Sequence, residues 1–376
     1  MKVSCQQENL AKGLSVVSRA VATRSTLPIT ANVLLKTENS RLKLAATNLE
    51  IALSYWVGAR VDEEGEITIP NRFLTPFVES LPNDRLELAL TPRSRQVKIE
   101  CGRNQATIGG MDADDFPPIP AVQADTVMRL DPQTLRKAIG QVVFAAATDD
   151  TRPVLTGVHM LAEGEKLTLA AADGFRLAVH YLALPQPVDE KLEIVVPARA
   201  LIELSRLLGD ADEPVEITVN AARTTVMFKL PMAEMVAQLL QGAFPDYNRL
   251  VPASYGTRAV VPVSEFLSGI RRASIFSREG SGIVRLQVAP GEEVLPGKLS
   301  VSAKAEETGG TDSEIDATVD GEAARIAFNS KYLQDVLGVM EGQIALETSS
   351  PSLPGVLRPV GTDNYIHVVM PMFVQW

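Results

Sequence analysis

Two cysteines and three histidines in 376 residues leave little material for disulfides or metals. Cys5 and Cys101 both fall in the first third of the chain, so a disulfide framework is a poor reading and two buried free thiols are the expected state. His159, His180 and His367 sit in β-like surroundings with no partner cysteines and no H-x-x-x-H spacing, and no metal site is expected. Aromatic residues are 5% of the chain, too few for a platform that stacks single-stranded bases. No apolar run reaches the roughly 18 residues a membrane helix needs, and Met1 to Glu8 lacks the apolar core of a signal peptide. The expected setting is cytoplasmic, with no membrane partner.

Catalytic signatures are missing as well. No G-x-S-x-G elbow occurs, and Gly280-Ser281-Gly282 lacks its spacing. The nearest approach to a phosphate loop, Gly291 to Leu299, has its glycines one residue too far apart. It also carries Glu292 and Glu293 where phosphates would lie, and Leu299 in place of the metal-binding hydroxyl. A hairpin turn accounts for it better. The pairs Asp114-Asp115 and Asp149-Asp150 read as solvated loop carboxylates. A binding protein without catalytic residues or cofactors is the expectation.

What the chain does contain is a repeat. Val196 to Leu208 reads as a helix with one apolar face and two arginines turned away from it. Ile69 to Leu81 and Phe328 to Met340 repeat its order, and Leu74, Leu201 and Leu333 then lie 127 and 132 residues apart. A second set of helices opens on the pairs Leu10/Leu14, Leu135/Ile139 and Phe266/Ile270, at offsets of 125 and 131. Two unrelated anchors giving nearly one period imply three copies of a domain-sized module. Phe116-Pro117 and Phe244-Pro245, 128 apart, close the first two modules and lead into Pro-containing connectors. The expected domains are 1–122, 127–252 and 253–376.

Within each module, a strand and a helix are followed by short Val/Ile/Leu/Thr-rich runs, then a second helix and more strands, as in antiparallel meanders. Ser4 with Gln7 has the form of a capping box, and Asp131-Pro132 places a cap before a first-turn proline. Pro76 either kinks its helix or delays its start. The polar stretch Thr308 to Ser313 is expected at a hairpin tip.

The net charge of −10 argues, taken whole, against nucleic acid. Its distribution argues otherwise. The six helix windows carry ten basic residues against seven acidic ones: Lys12, Arg19, Arg72, Arg136, Lys137, Arg199, Arg206, Arg271, Arg272 and Lys331. A segregated basic helical surface is expected. Helices about 10 Å thick, six to a circle, leave a hole of about 10 Å, too narrow for a duplex about 20 Å across. Twelve helices leave about 25 Å, so two chains joined head to tail would admit double-stranded DNA.

Four motifs, in order and in phase with the repeat, carry a resemblance: Arg24-Ser25-Thr26-Leu27-Pro28-Ile29, Ala172-Asp173-Gly174-Phe175-Arg176-Leu177-Ala178, Phe244-Pro245-Asp246-Tyr247, and Val368-Val369-Met370-Pro371-Met372. Over its whole length the chain resembles the bacterial DNA polymerase III beta subunits, the beta sliding clamps. The resemblance implies an α+β fold of three repeated clamp domains, each with two helices against antiparallel sheets, six domains closing into a dimeric ring. It implies a homodimer that encircles duplex DNA without reading its sequence. That dimer would tether the replicative polymerase, the clamp loader and repair proteins through short linear motifs.

A partner-peptide pocket carries over onto Leu155, Ala172, Gly174, Phe175, Arg176, Leu177, Pro245, Arg249, Leu250, Val368, Met370, Pro371 and Met372, an adaptable apolar groove with arginines at its rim. Family members often have a hydroxyl at position 172 and a histidine at 175, so Ala172 and Phe175 imply a shifted peptide preference. The closing Phe373-Val374-Gln375-Trp376 either covers part of the pocket or enlarges it. Arg24 and Arg152 join the helix cations as expected DNA contacts. Ala106 and Ile108, smaller than usual, are expected to face Ile275 and Phe276 across the dimer seam. The alternative reading is a monomeric repeat-built scaffold that binds peptides and never closes around DNA.

Overall fold

The computed structural model describes the chain apart from residues 23–25, 123–126, 150, 278–281, 293–294 and 306–308. The described residues form two compact units, Met1–Gln133 with Glu203–Leu239, and Thr134–Ile202 with Leu240–Trp376. The architecture is α+β. Six α-helices stand among the described residues: α1 (Gln7–Val17), α2 (Asn71–Glu79), α3 (Pro132–Val142), α4 (Ala198–Leu207), α5 (Val263–Ser277) and α6 (Ser330–Leu337). None is long and apolar enough to cross a membrane.

The first unit contains a five-stranded and an eight-stranded antiparallel sheet. In the eight-stranded sheet, Ala233–Gln238 pairs with Ile51–Gly58, with Ala52 opposite Val236, so one ladder joins the first expected module to the second. α1 buries Leu10, Leu14 and Val17, and Gly13 lets it lie close on the sheet. A Cβ at Gly13 would stand 2.7 Å from the Leu44 side chain and 2.8 Å from that of Tyr55. Ser18 Oγ donates to Asn71 Oδ1 at 2.9 Å, tying the α1 end to α2. α2 runs through Pro76 without ending there, forgoing the bond that an N–H at that position would make to the Arg72 carbonyl, and it buries Leu74, Thr75 and Val78.

The second unit is built on a ten-stranded sheet. Gly157–Ala172 and Arg176–Pro197 form its longest hairpin, and Tyr365–Val369 pairs with the latter strand, setting Leu177 opposite Val368. α5 buries Phe266, Gly269, Ile270 and Ala273, and α6 buries Leu333, Val336 and Leu337. Ser277 Oγ donates to Ser330 Oγ at 3.3 Å. Ser277 and Ser330 each lie 259 positions beyond Ser18 and Asn71, so the polar tie between helices recurs with the repeat.

One expectation of local structure needs correction. The capping box at Ser4 and Gln7 does not form: Ser4 lies in the strand Lys2–Gln6 and accepts from Arg85, while Gln7 Nε2 donates to the Val78 carbonyl at 2.7 Å. Of the stretch Thr308 to Ser313, Thr308 lies outside the described residues, and Gly309 to Ser313 open the strand Gly309–Gly321, with Gly309 opposite Ala305 and Ser313 opposite Val301. Other expectations hold. α3 starts at Pro132, and Cys5 and Cys101 are buried and free. Gly291 to Leu299 falls on the hairpin between Ile283–Ala289 and Gly297–Ala305, where Glu292 and Leu295 pair backbone to backbone.

Candidate peptide groove and basic helix surfaces

The groove residues all belong to the second unit. Its floor is a cluster of Ala170, Leu177, Val179, Tyr247, Val356, Ile366 and Val368, with Ala172, Phe244 and Val251 packed against it. Leu155 is also buried. Three of the candidate residues are large apolar side chains that face solvent: Phe175 is 59% exposed, Leu250 51% and Met370 44%. Exposed apolar side chains around a buried apolar floor mark an interaction site more strongly than any buried cluster alone. Pro245 and Arg249 are also exposed, and Pro371 and Met372 are half-buried.

The turn at the groove's edge is fixed by Asp173. Its Oδ1 accepts from the backbone N–H of Phe175 at 2.9 Å and of Arg176 at 3.0 Å, an Asx turn. Gly174 takes a φ of +92°, and a Cβ there would meet the Arg152 guanidinium at 2.8 Å. Arg152 itself donates to the Asp173 carbonyl at 2.9 Å. Met370 N–H donates to the Phe175 carbonyl at 2.8 Å, which carries the methionine segment alongside this turn.

Arg176 is not the rim cation that the sequence implied. Its side chain is only 8% exposed and is engaged on every side. Nε donates to Asp173 Oδ2 at 2.9 Å, Nη1 to Asp335 Oδ2 at 2.6 Å and Nη2 to the Phe144 carbonyl at 2.6 Å. The guanidinium also lies 4.6 Å from the Tyr332 ring and 5.4 Å from that of Phe144. It fastens the turn to α6 and to the segment after α3. The exposed rim cation is Arg249, loosely paired with Asp246 at 3.6 Å.

Sequence reasoning missed the wall behind the groove. Phe244 stacks on His159 with centroids 5.2 Å apart, and His159 Nδ1 lies 3.2 Å from Tyr247 Oη while Nε2 lies 3.1 Å from Glu193. Burial pushes His159 below the ordinary imidazole value against the opposing pull of Glu193, and pushes the Tyr247 hydroxyl up to about 12. This is a neutral, packed support for the Phe244-Pro245 corner. The recurrence of Phe-Pro pointed to a corner but not to its histidine. The terminal tail is pinned along the strand Ala324–Asn329: Met372 N–H donates to the Ala327 carbonyl at 2.7 Å and Arg285 donates to the Gln375 carbonyl at 3.2 Å. Trp376 faces the Arg325 guanidinium, and Phe373 is 85% exposed.

Among the expected DNA contacts, Lys12, Arg19 and Arg206 are brought together in the first unit, lining a cavity of about 260 Å³ with Tyr55 and Met232. Arg206 also pairs with Glu203 at 2.6 Å, and Arg72 is exposed with its guanidinium over Phe73. In the second unit Arg136, Lys137, Arg152, Arg199, Arg271, Arg272 and Lys331 are all exposed. Arg24 lies outside the described residues. Of the expected seam, Ala106 and Ile108 are half-buried in Asn104–Gly109, an edge strand of the five-stranded sheet in the first unit. Ile275 is 65% exposed and Phe276 half-buried at the end of α5 in the second. Among the described residues, no group of three or more His, Cys, Asp or Glu side chains is placed to hold a metal.

Two-helix modules whose strands join into long antiparallel sheets define the clamp class of repeat-built α+β proteins. Family models for the N-terminal, central and C-terminal domains of the DNA polymerase III beta subunit match residues 1–120, 129–246 and 248–373. A beta sliding clamp of Staphylococcus aureus is 30% identical over 382 residues, covering 99% of each chain. One of Synechocystis is 32% identical over 394 residues, again covering 99% of each. The chain also superposes on the DNA polymerase sliding clamp of Bacillus subtilis with a TM-score of 0.94 at 28% identity, and on the DNA polymerase III subunit beta of Pseudomonas aeruginosa with a TM-score of 0.92 at 30% identity, covering 100% of both chains in each case. The chain belongs to the DNA polymerase III beta subunit family, the bacterial beta sliding clamps.

Proposed function

We propose that the protein is a replication processivity clamp: two copies close head to tail around duplex DNA and hold the replicative polymerase through the groove of the second unit. Its domains in this reading are 1–122, 127–252 and 253–376, and it has no catalytic role of its own. The observation that carries the docking half is the set of exposed Phe175, Leu250 and Met370 around a buried apolar floor. An extended peptide with apolar side chains fits such a surface, and flexible methionines let one groove accept several partners. Arg249 at the rim favours an acidic residue in that peptide.

The DNA half rests on the exposed helix cations of each unit. Lysines and arginines without a bidentate base reader hold phosphates at any sequence, which suits a ring that must slide. The seam pairs Ala106 and Ile108 of one protomer with Ile275 and Phe276 of its partner. The exposed Ile275 and the unpaired edge of Asn104–Gly109 support it, since an open strand edge beside apolar side chains is a natural place for another chain.

Loading the protein on nicked circular DNA with its clamp loader and then linearising the circle tests the reading. Retention on the circle with loss from the linear form is expected. Equal loss from both, or a chain that light scattering finds monomeric at micromolar concentration, overturns the ring and leaves the peptide-binding scaffold. Met370→Ala with Met372→Ala abolishes binding of a polymerase-derived peptide and leaves the dimer intact. Unchanged affinity removes the groove assignment.

A further inference from the structure

The cavity beside Lys12 has a counterpart in the second unit, and there the space is filled. Asn48 Oδ1 accepts from the N–H of Glu50 at 3.0 Å and of Ile51 at 2.8 Å, the same Asx turn that Asp173 makes 125 positions later. Tyr55 lies opposite Ala233 as His180 lies opposite Tyr365. Trp56 N–H donates to the Met232 carbonyl at 3.0 Å, and Tyr181 N–H to that of Asn364 at 2.8 Å. Lys12, Val16 and Arg19 precede Lys137, Gln141 and Phe144 by the same 125 positions. Turn, ladder and helix therefore put the two places in register.

The side chains at the two places differ. In the second unit Tyr365 is 1% exposed and its hydroxyl donates to the Gln141 carbonyl at 2.9 Å, so one aromatic ring spans the space from sheet to helix. Its counterpart Ala233 is too short to do so. Ala233 and Val16, the counterparts of that bonded pair, both line the cavity of about 260 Å³. A cavity of about 150 Å³ holds benzene, so an aromatic ring system larger than benzene fits here. Tyr55, Leu230 and Met232 supply apolar surface for it. Three cations stand around the same space: Lys12 and Arg206 are exposed and Arg19 is half-buried. Asp212 and Glu213 line it as well. A bare anion gains little beside two carboxylates, whereas a ligand that carries both an anionic group and N–H donors uses both signs of charge.

We propose that this cavity binds a nucleoside phosphate. The base takes the place that the Tyr365 ring takes in the second unit, the phosphate lies on Lys12, Arg19 and Arg206, and the N–H edge of the base meets Asp212 and Glu213. The inference stands apart from the clamp reading, although it draws on cations which that reading gives to DNA. Guanine carries neighbouring N–H donors on one edge, so guanosine monophosphate is the probe. Calorimetric titration of the whole protein without DNA finds one site per chain, with guanosine and inorganic phosphate each weaker by about tenfold or more. Ala233→Tyr fills the cavity as Tyr365 does and removes the site. Arg19→Gln weakens the nucleotide by about tenfold and leaves guanosine unchanged, which keeps the test if the tyrosine variant does not fold. Displacement by a 5′-phosphorylated oligonucleotide assigns the same chemistry to a strand end, and resistance to it assigns the site to the free nucleotide. A protein that does not bind the monophosphate, a folded Ala233→Tyr that binds it unchanged, an Arg19→Gln that loses nothing, or inorganic phosphate bound as tightly overturns the site. Each of those results leaves the clamp reading untouched.

Discussion

Arg176→Ala separates a structural arginine from a ligand-binding one. The guanidinium holds two carboxylates, Asp173 at 2.9 Å and Asp335 at 2.6 Å, and one backbone carbonyl, Phe144 at 2.6 Å, while packed between two rings. Truncation leaves Asp173, at 14% side-chain exposure, without its cation and the Phe144 carbonyl without its donor. Breaking a largely buried pair in this way costs about 3–5 kcal/mol. At about 2–4 °C per kcal/mol for a unit of this size, the melting temperature of the second unit falls by about 6–20 °C. Arg176→Lys recovers part of that loss, because a single ammonium cannot reach all three acceptors as the planar fork does. Differential scanning calorimetry beside peptide titration is the assay. A folded Arg176→Ala protein with unchanged melting and weakened peptide binding would refute the argument, since that is the signature of a rim contact.

Three further outcomes follow from packing and burial. Gly13→Ala forces a methyl to within 2.7 Å of Leu44 and 2.8 Å of Tyr55, and overpacking of this kind costs about 1–3 kcal/mol; unchanged denaturant stability would show that α1 lifts off its sheet freely. His180 and His367 are buried with a ring nitrogen lacking any protein hydrogen-bond partner, and burial pushes them down to about 4 and about 3. The unfolded chain then binds protons that the folded one refuses, so their contribution is full above pH 6.5 and is lost as pH falls toward those values. The slope is about 1.4 kcal/mol per pH unit for each, and urea unfolding at pH 7.5 and pH 5 checks it; His180→Phe with His367→Phe flattens the acid limb, and an unflattened limb assigns it elsewhere. Arg249→Glu reverses the rim charge while leaving melting unchanged, and it weakens an acidic peptide by several-fold at low salt; equal affinity at low salt would remove Arg249 from the site.

Most of the helical frame was legible because each helix buries a short-range pattern. Leu10 with Leu14, Leu74 with Val78, and Leu333 with Leu337 lie one turn apart, and that spacing is written in adjacent residues. Of the apolar floor only Leu177 and Val368 were named in advance, and they came from the family resemblance and not from strand alternation. What could not be read depends on partners remote in the chain. Arg176 looks like any exposed cation beside a glycine turn until Phe144 and Asp335, 32 and 159 positions away, close around it. The stretch Thr308 to Ser313 has turn-like composition, and from Gly309 onward it pairs as a strand, where a Cβ on Gly310 would stand 2.8 Å from the Ala303 carbonyl oxygen. Composition reported the close approach but not where the strand begins.

The repeat explains why function concentrates where it does. Equivalent turns stand at Asn48 and Asp173, and the chemistry at each diverged through a few side chains. Position 51 holds a buried isoleucine and position 176 a buried arginine that ties the turn to α6. A glycine at 174 admits Arg152 against the turn, whereas Leu49 projects into solvent. In the proposed reading, that rigid support is what fits the Asp173 turn, and not the Asn48 turn, to hold a partner peptide.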